Sequence, residues 1–268
     1  MSGSNPPLLD FQNVTITRGD ASKVALDRIT LTIEAGEHVA ILGPNGSGKS
    51  SLIKAITREC YPRYTGDGSG LRIMGRETWN VFELRAMLGI VSNDLMQSCA
   101  RDFTGREVAL SGFFSSIGIW PNHHVTAEME RKADEILALL EVSHLADRYV
   151  DELSSGEARR ILIGRALVHN PKALVLDEPT ASLDLHAIHE LRGILRKLAQ
   201  SGTSIIVVTH YLPDIIPEIE RVVLIKKGRI LRDASKAEAL TSSSLSELFD
   251  TPVELIERDG SYQVIGHG

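Results

Sequence analysis

Gly43-Pro-Asn-Gly-Ser-Gly-Lys-Ser50 has the spacing G-x-x-x-x-G-K-[ST], between the apolar run His38-Val-Ala-Ile-Leu42 and a helical pattern over Ser50–Thr57. Strand, glycine-rich turn and helix in that order are the setting a phosphate-cradling loop requires. Gly43, Gly46 and Gly48 let backbone amides turn tightly towards phosphate at a helix N-terminus, with Pro44, Asn45 and Ser47 completing the loop. Lys49 would neutralise β- and γ-phosphate oxygens, the Ser50 hydroxyl would ligate Mg2+, and Ser51 would donate to the α-phosphate. A turn that binds nothing has no need of lysine followed by serine.

A second element, Ala173-Leu-Val-Leu-Asp-Glu178, is an apolar strand that ends in two acids. Carboxylates at the C-terminal end of a buried parallel strand lie where α/β sheets bind ligands. There Asp177 would hold Mg2+ through its water shell, and Glu178 would polarise an attacking water. Acids often begin loops, so the pair gains weight only beside the phosphate loop. His210 follows the buried run Ser204–Thr209. A lone histidine is more often filler, but this one ends a strand parallel to the Asp177 strand and can reach a γ-phosphate.

These residues need a sheet to carry them. Ala173–Leu176, Ser204–Val208 and Val222–Ile225 read as buried parallel strands. Between the first two, Leu185, Ile188, Leu191, Ile194, Leu195 and Leu198 recur at helical spacing over Leu185–Gln200. Leu8–Ile33 alternates in apolar character and breaks at Arg18-Gly-Asp20, as antiparallel strands do. Glu128–Val142 and Gly156–His169 are helical, whereas Gly105–Thr126 gives no strand signal. Val253, Leu255, Tyr262 and Val264 alternate around Asp259-Gly260, a hairpin pattern. The expected fold class is α/β: a mostly parallel core sheet, an N-terminal antiparallel β subdomain and an inserted helical subdomain. The expected organisation is one domain over 1–268. Within it, 8–94 and 171–232 form the core, 95–170 the helical subdomain and 233–268 a C-terminal helix and hairpin.

Composition excludes several classes. A net charge of −6 argues against a general nucleic-acid or anionic-membrane binder, so no direct nucleic-acid partner is expected. Cys60 and Cys99 have no metal-ligand spacing and read as reduced thiols. The first residues have neither a basic nor an apolar signal region, and no apolar run approaches the ~20 residues of a membrane span. A soluble, cytoplasmic chain is expected.

Together these motifs resemble the nucleotide-binding subunit of the ATP-binding cassette (ABC) family. Leu153-Ser-Ser-Gly-Glu157 resembles its signature motif, and Pro179-Thr-Ala-Ser-Leu-Asp184 its D-loop. The ordered set covers Leu8 to about Arg232. The resemblance implies an ATPase using ATP and Mg2+, with Lys49, Glu178 and His210 catalytic and Asp184 at the nucleotide. It implies a homodimer in which each ATP lies between one copy's phosphate loop and the other's Ser154 and Gly156. Three features depart from the pattern. Arg18 stands where an aromatic side chain stacks on adenine, a role a guanidinium plane can also fill. The amide that links Mg2+ to the partner interface is either Asn93 or Gln97. In the signature, Ser155 replaces glycine and Glu157 replaces glutamine.

With the Val91–Gln97 loop, Leu110–Trp120 resembles molybdate- and iron-chelate-type importer ATPases; its aromatics suit either core packing or partner docking. The remaining histidines, His123, His124, His186 and His189, read as solvated. The expected function is the ATPase of a transporter, an importer of a metal chelate or oxyanion, held at the inner face of the membrane by a separate transmembrane permease. The competing reading is a soluble ABC ATPase with a regulatory or ribosome- or nucleic-acid-linked role. Such proteins commonly carry two cassettes or a long coiled-coil insertion.

Overall fold

A computed structural model describes residues 6–18, 23–63, 66, 68–92, 94–95, 98, 102–258 and 260–266. The chain divides into two compact units, Met1–Val81 with Ile206–Gly268, and Phe82–Ile205.

In the first unit, β1 (Leu9–Arg18) pairs antiparallel with β2 (Lys23–Ile33) and with the short β4 (Gly70–Ile73). Leu9, Phe11, Val14 and Ile16 fill the interior of this sheet. The alternation is interrupted by register shifts between Phe11 and Val14 and again beyond it, which bulge the strand. A second layer is built on β3 (Val39–Leu42), which lies parallel to both β7 (Ser204–Thr209) and β8 (Arg221–Lys226). A strand paired on both edges and covered on both faces has no polar side to display, and Val-Ala-Ile-Leu has none. β9 (Arg229–Ser235) closes this group antiparallel to β8. After α1 (Lys49–Ile56), the unit ends in two short helices and an antiparallel hairpin, β10 (Val253–Arg258) with β11 (Ser261–Gly266).

The second unit carries α2 (Val81–Met87) and the parallel pair β5 (Leu88–Val91) and β6 (Ala173–Asp177). Its helices are α3 (Gly105–Ser111), α4 (Ala127–Leu139), α5 (Ser155–Leu167) and α6 (Leu185–Gln200). α5 is buried along nearly its whole length and on every side, Arg159 and Arg160 included. α6 buries Leu191, Ile194, Leu195 and Leu198, but Leu185, expected inward from its spacing, is 84% exposed in the first turn. In the stretch without strand signal lies α3, started by a capping box between Thr104 and Glu107. His123, expected solvated, stacks on Phe114 with centroids 4.2 Å apart, and its Nδ1 accepts the Trp120 amide at 3.2 Å. The remaining helices, in the first unit, are α7 (Lys236–Ala239) and α8 (Ser242–Phe249).

Candidate functional site

The phosphate loop leaves the sheet at the C-terminal end of β3. There Leu42 is in register with Thr209, and the Gly43 amide donates to the Thr209 carbonyl at 3.1 Å. This register sets the start of the loop beside His210, the residue after Thr209. Thr209 is itself held by a buried hydrogen bond from its hydroxyl to Asp214, and its Oγ1 accepts the Tyr211 amide at 2.9 Å. Sequence reasoning missed Thr209 and Asp214, because a threonine at a strand end carries no chemical signal alone.

α1 then starts at Gly48, in the left-handed region at φ 113°. A side chain there would be strained, and its Cβ would lie 2.8 Å from both the Ala25 carbonyl oxygen and a Leu26 methyl. No side chain caps α1, and no acid stands in its first turn. By contrast α3, α4, α5, α6, α7 and α8 start on Thr104, Thr126, Ser154, Asp184, Ser235 and Thr241, each accepting from its own helix. An uncapped N-terminus presents about half a positive charge and several amide donors. Lys49 adds a full charge. It is only 6% exposed, and its Nζ donates to the carbonyls of Gly43 at 2.8 Å and Pro44 at 3.1 Å, which curls it into the loop.

The buried Ser47 hydroxyl lacks a hydrogen-bond partner among the described residues. Ser51 is buried and accepts from Arg18 Nε at 3.1 Å. Arg18 therefore places its guanidinium at the first turn of α1, and Ser50 faces outward beside it. The first unit thus brings Arg18, the loop from Gly43 to Ser51, and His210 to one end of its sheet.

The second unit collects the other expected residues. β6 ends at Asp177, one step past the Val91–Leu176 register with β5, and Glu178 follows in the left-handed region at φ 47°. Asn93 and Gln97 lie outside the described residues. The turn after Glu178 runs to Asp184, whose Oδ1 accepts the Ala187 amide at 2.8 Å and caps α6. The start of α5 packs on this turn. Ser155 Oγ donates to the Ser182 carbonyl at 3.1 Å, a bond that glycine at this position could not make. Gly156 is buried, and a Cβ there would lie 2.7 Å from the Ala187 Cβ, so only glycine permits this approach. Ser154, Ser155, Gly156 and Asp184 are therefore parts of one packed surface.

At that surface Glu157 folds back over the first turn of α5. Its Oε2 accepts the Ser154 amide and hydroxyl, both at 2.8 Å, while Ser154 Oγ accepts the Glu157 amide at 3.3 Å. The Ser154 donors hold the Glu157 carboxyl below the usual carboxylate range, aided by Arg148 and Arg160. Ser154-x-x-Glu157 is the capping-box spacing, a signal legible in the sequence.

An anion-seeking loop at a strand end and, in the second unit, a glycine-tight helix start within Leu153-Ser-Ser-Gly-Glu157 are the features of an ATP-binding cassette. Residues 26–181 match the family model described as ABC transporter, and the chain belongs to that family. It is 32% identical to the uncharacterized ABC transporter ATP-binding protein YlmA of Bacillus subtilis over 93% of each chain. It is also 32% identical to the hemin import ATP-binding protein HmuV of Aliivibrio fischeri, over 85% of each. Among solved structures it resembles the ATP-binding cassette MJ0796, a dimer in a post-hydrolysis state bound to ADP and Pi. That likeness has a TM-score of 0.70 at 28% identity, covering 85% of this chain and 98% of MJ0796.

Proposed function

We propose that this chain is the ATP-binding and ATP-hydrolysing subunit of a membrane transporter and works as an ATP-sandwiched homodimer. The observation that carries the reading is the start of α1: six other helices are capped by their own side chains, while α1 carries a curled, buried Lys49 instead. That arrangement suits a polyanion.

In the proposed site Lys49, the loop from Gly43 to Gly48 and Ser51 hold the triphosphate, and Arg18 lies at its α-phosphate and adenine side. Mg2+ is typically bound by one or two carboxylates, waters and substrate phosphates. By the family resemblance Ser50 and Asp177 would hold it, with Asn93 or Gln97 as the linking amide, and the ion would neutralise charge on the leaving phosphates. Glu178 polarises the attacking water and His210 contacts the γ-phosphate. Ser154 and Gly156 complete the site from the second copy, with Asp184 positioning the turn beside them. Catalysis then rests on alignment and charge stabilisation.

The dimeric MJ0796 cassette supports the homodimer, and the hemin import relative supports an importer of a metal chelate or oxyanion. No helix among the described residues is long and apolar enough to cross a membrane. A separate transmembrane permease would supply the path and hold this chain at the inner face of the membrane.

Glu178→Gln tests the reading. It should bind ATP normally, lose turnover by about 100-fold or more, and elute as a dimer with ATP but not ADP. Normal hydrolysis by this variant would remove Glu178 from its role. A monomer under saturating ATP would remove the sandwich.

A further inference from the structure

The N-terminus of α5 is already occupied by an anion belonging to the chain. Ser154 has one hydroxyl hydrogen, and it is given to Glu157 Oε2 at 2.8 Å, as is the Ser154 amide. Because these bonds favour the charged carboxyl, Glu157 is an anion at neutral pH. Two cations face it, but each is shared with another acid: Arg148 lies 3.7 Å from Glu152, and Arg160 lies 3.5 Å from Glu190.

We infer that Glu157 is a positioning residue that competes with the γ-phosphate of partner-bound ATP for the Ser154 hydroxyl. The inference rests on the proposed ATP sandwich. When the two copies close, the γ-phosphate must take the hydroxyl and the helix N-terminus from the carboxylate. Two anions cannot share one proton and one helix end without repulsion. When the γ-phosphate leaves after hydrolysis, the carboxylate recaptures Ser154 and favours opening. The cost falls on the closed dimer, so Glu157 tunes how tightly ATP joins the copies. In the proposed sandwich nucleotide binding to one copy uses the loop at α1 and not Glu157, so that step is unaffected.

Glutamine is the informative replacement. Both Ser154 bonds land on a single oxygen, which a Gln carbonyl can supply, so the cap survives and only the charge is lost. The experiment is sedimentation of the Glu178→Gln protein with ATP and Mg2+, with and without Glu157→Gln, at low and high ionic strength. Glu157→Gln should lower the dimer dissociation constant about tenfold or more at low salt. The gap should narrow at high salt, where the repulsion is screened. Glu157→Asp, which keeps the charge, should dimerise as weakly as the parent. In the hydrolysing enzyme, Glu157→Gln should lower KM for ATP and lower kcat together. An unchanged dissociation constant, or a gap indifferent to salt, overturns the inference and leaves the sandwich standing. If neither protein dimerises with ATP, the sandwich falls and the inference with it.

Discussion

The helix that follows the phosphate loop and the helix that starts within the signature motif begin in opposite ways. α1 starts on Gly48 with no side chain over its amides, and α5 starts on Ser154 with the Glu157 carboxylate folded across them. The first end forgoes a cap generally worth about 1 kcal/mol, so no side chain covers its first amides. The second keeps its cap, so a ligand there must displace a group of the chain. In the proposed site, two similar elements would hold the same kind of anion in different ways. In the proposed sandwich α1 would bind nucleotide constitutively, and α5 would engage it only when an anion stronger than Glu157 arrives.

Lys49→Ala should show the largest effect on this contrast. Removing the charge curled into the loop should weaken ATP binding by roughly 10- to 100-fold or more, measured by calorimetry. Unchanged affinity would mean that the bare end of α1 is not the nucleotide site. Gly48→Ala comes next, because it adds a left-handed alanine and a clash with Ala25 and Leu26. A loss of ~2–3 kcal/mol in chemical denaturation is expected, together with weaker ATP binding.

At α5 the effects are smaller and concern stability. Glu157→Ala removes the carboxylate half of the capping box, leaving the Ser154 hydroxyl on the residue-157 amide, and should cost ~0.5–1 kcal/mol at pH 7. The sign with pH follows from the lowered carboxyl. Its folded value lies below the ordinary 4.5, so its contribution is complete above that pH and lost as pH falls through the lower folded value. Denaturation curves of the parent and variant should therefore converge in acid, and a difference that persists there would contradict the charged cap. Ser155→Gly should have the smallest effect. Losing one exposed bond to Ser182 costs less than ~1 kcal/mol, and hydrogen exchange should rise locally at the start of α5.

The contrast was only partly legible in the sequence. The loop could be read because spacing, preceding strand and following helix agree, and β6, β7 and β8 because fully buried parallel strands are unbroken apolar runs. β9 was missed because an edge strand with four of its seven residues exposed, Arg-Ile-Leu-Arg-Asp-Ala-Ser, lacks such a run. β4 is only four residues long. α3 was missed although Thr104 and Glu107 carry a capping box, since periodicity was the stronger criterion and seven residues are too few to show it. At the site, local chemistry was readable and long-range ties were not. Nothing in the chain order reveals that Arg18 would meet Ser51, or that Ser155 would reach Ser182. Leu185 shows the converse error, where correct helical spacing places an apolar residue on an exposed first turn.

The most direct test is a structure of the Glu178→Gln protein with ATP and Mg2+. The account predicts a dimer with the triphosphate on Lys49 and the α1 amides of one copy. The partner's Ser154 hydroxyl should lie at the γ-phosphate, with Glu157 released from it. A triphosphate held within a single copy, with Ser154 still bonded to Glu157, would contradict it.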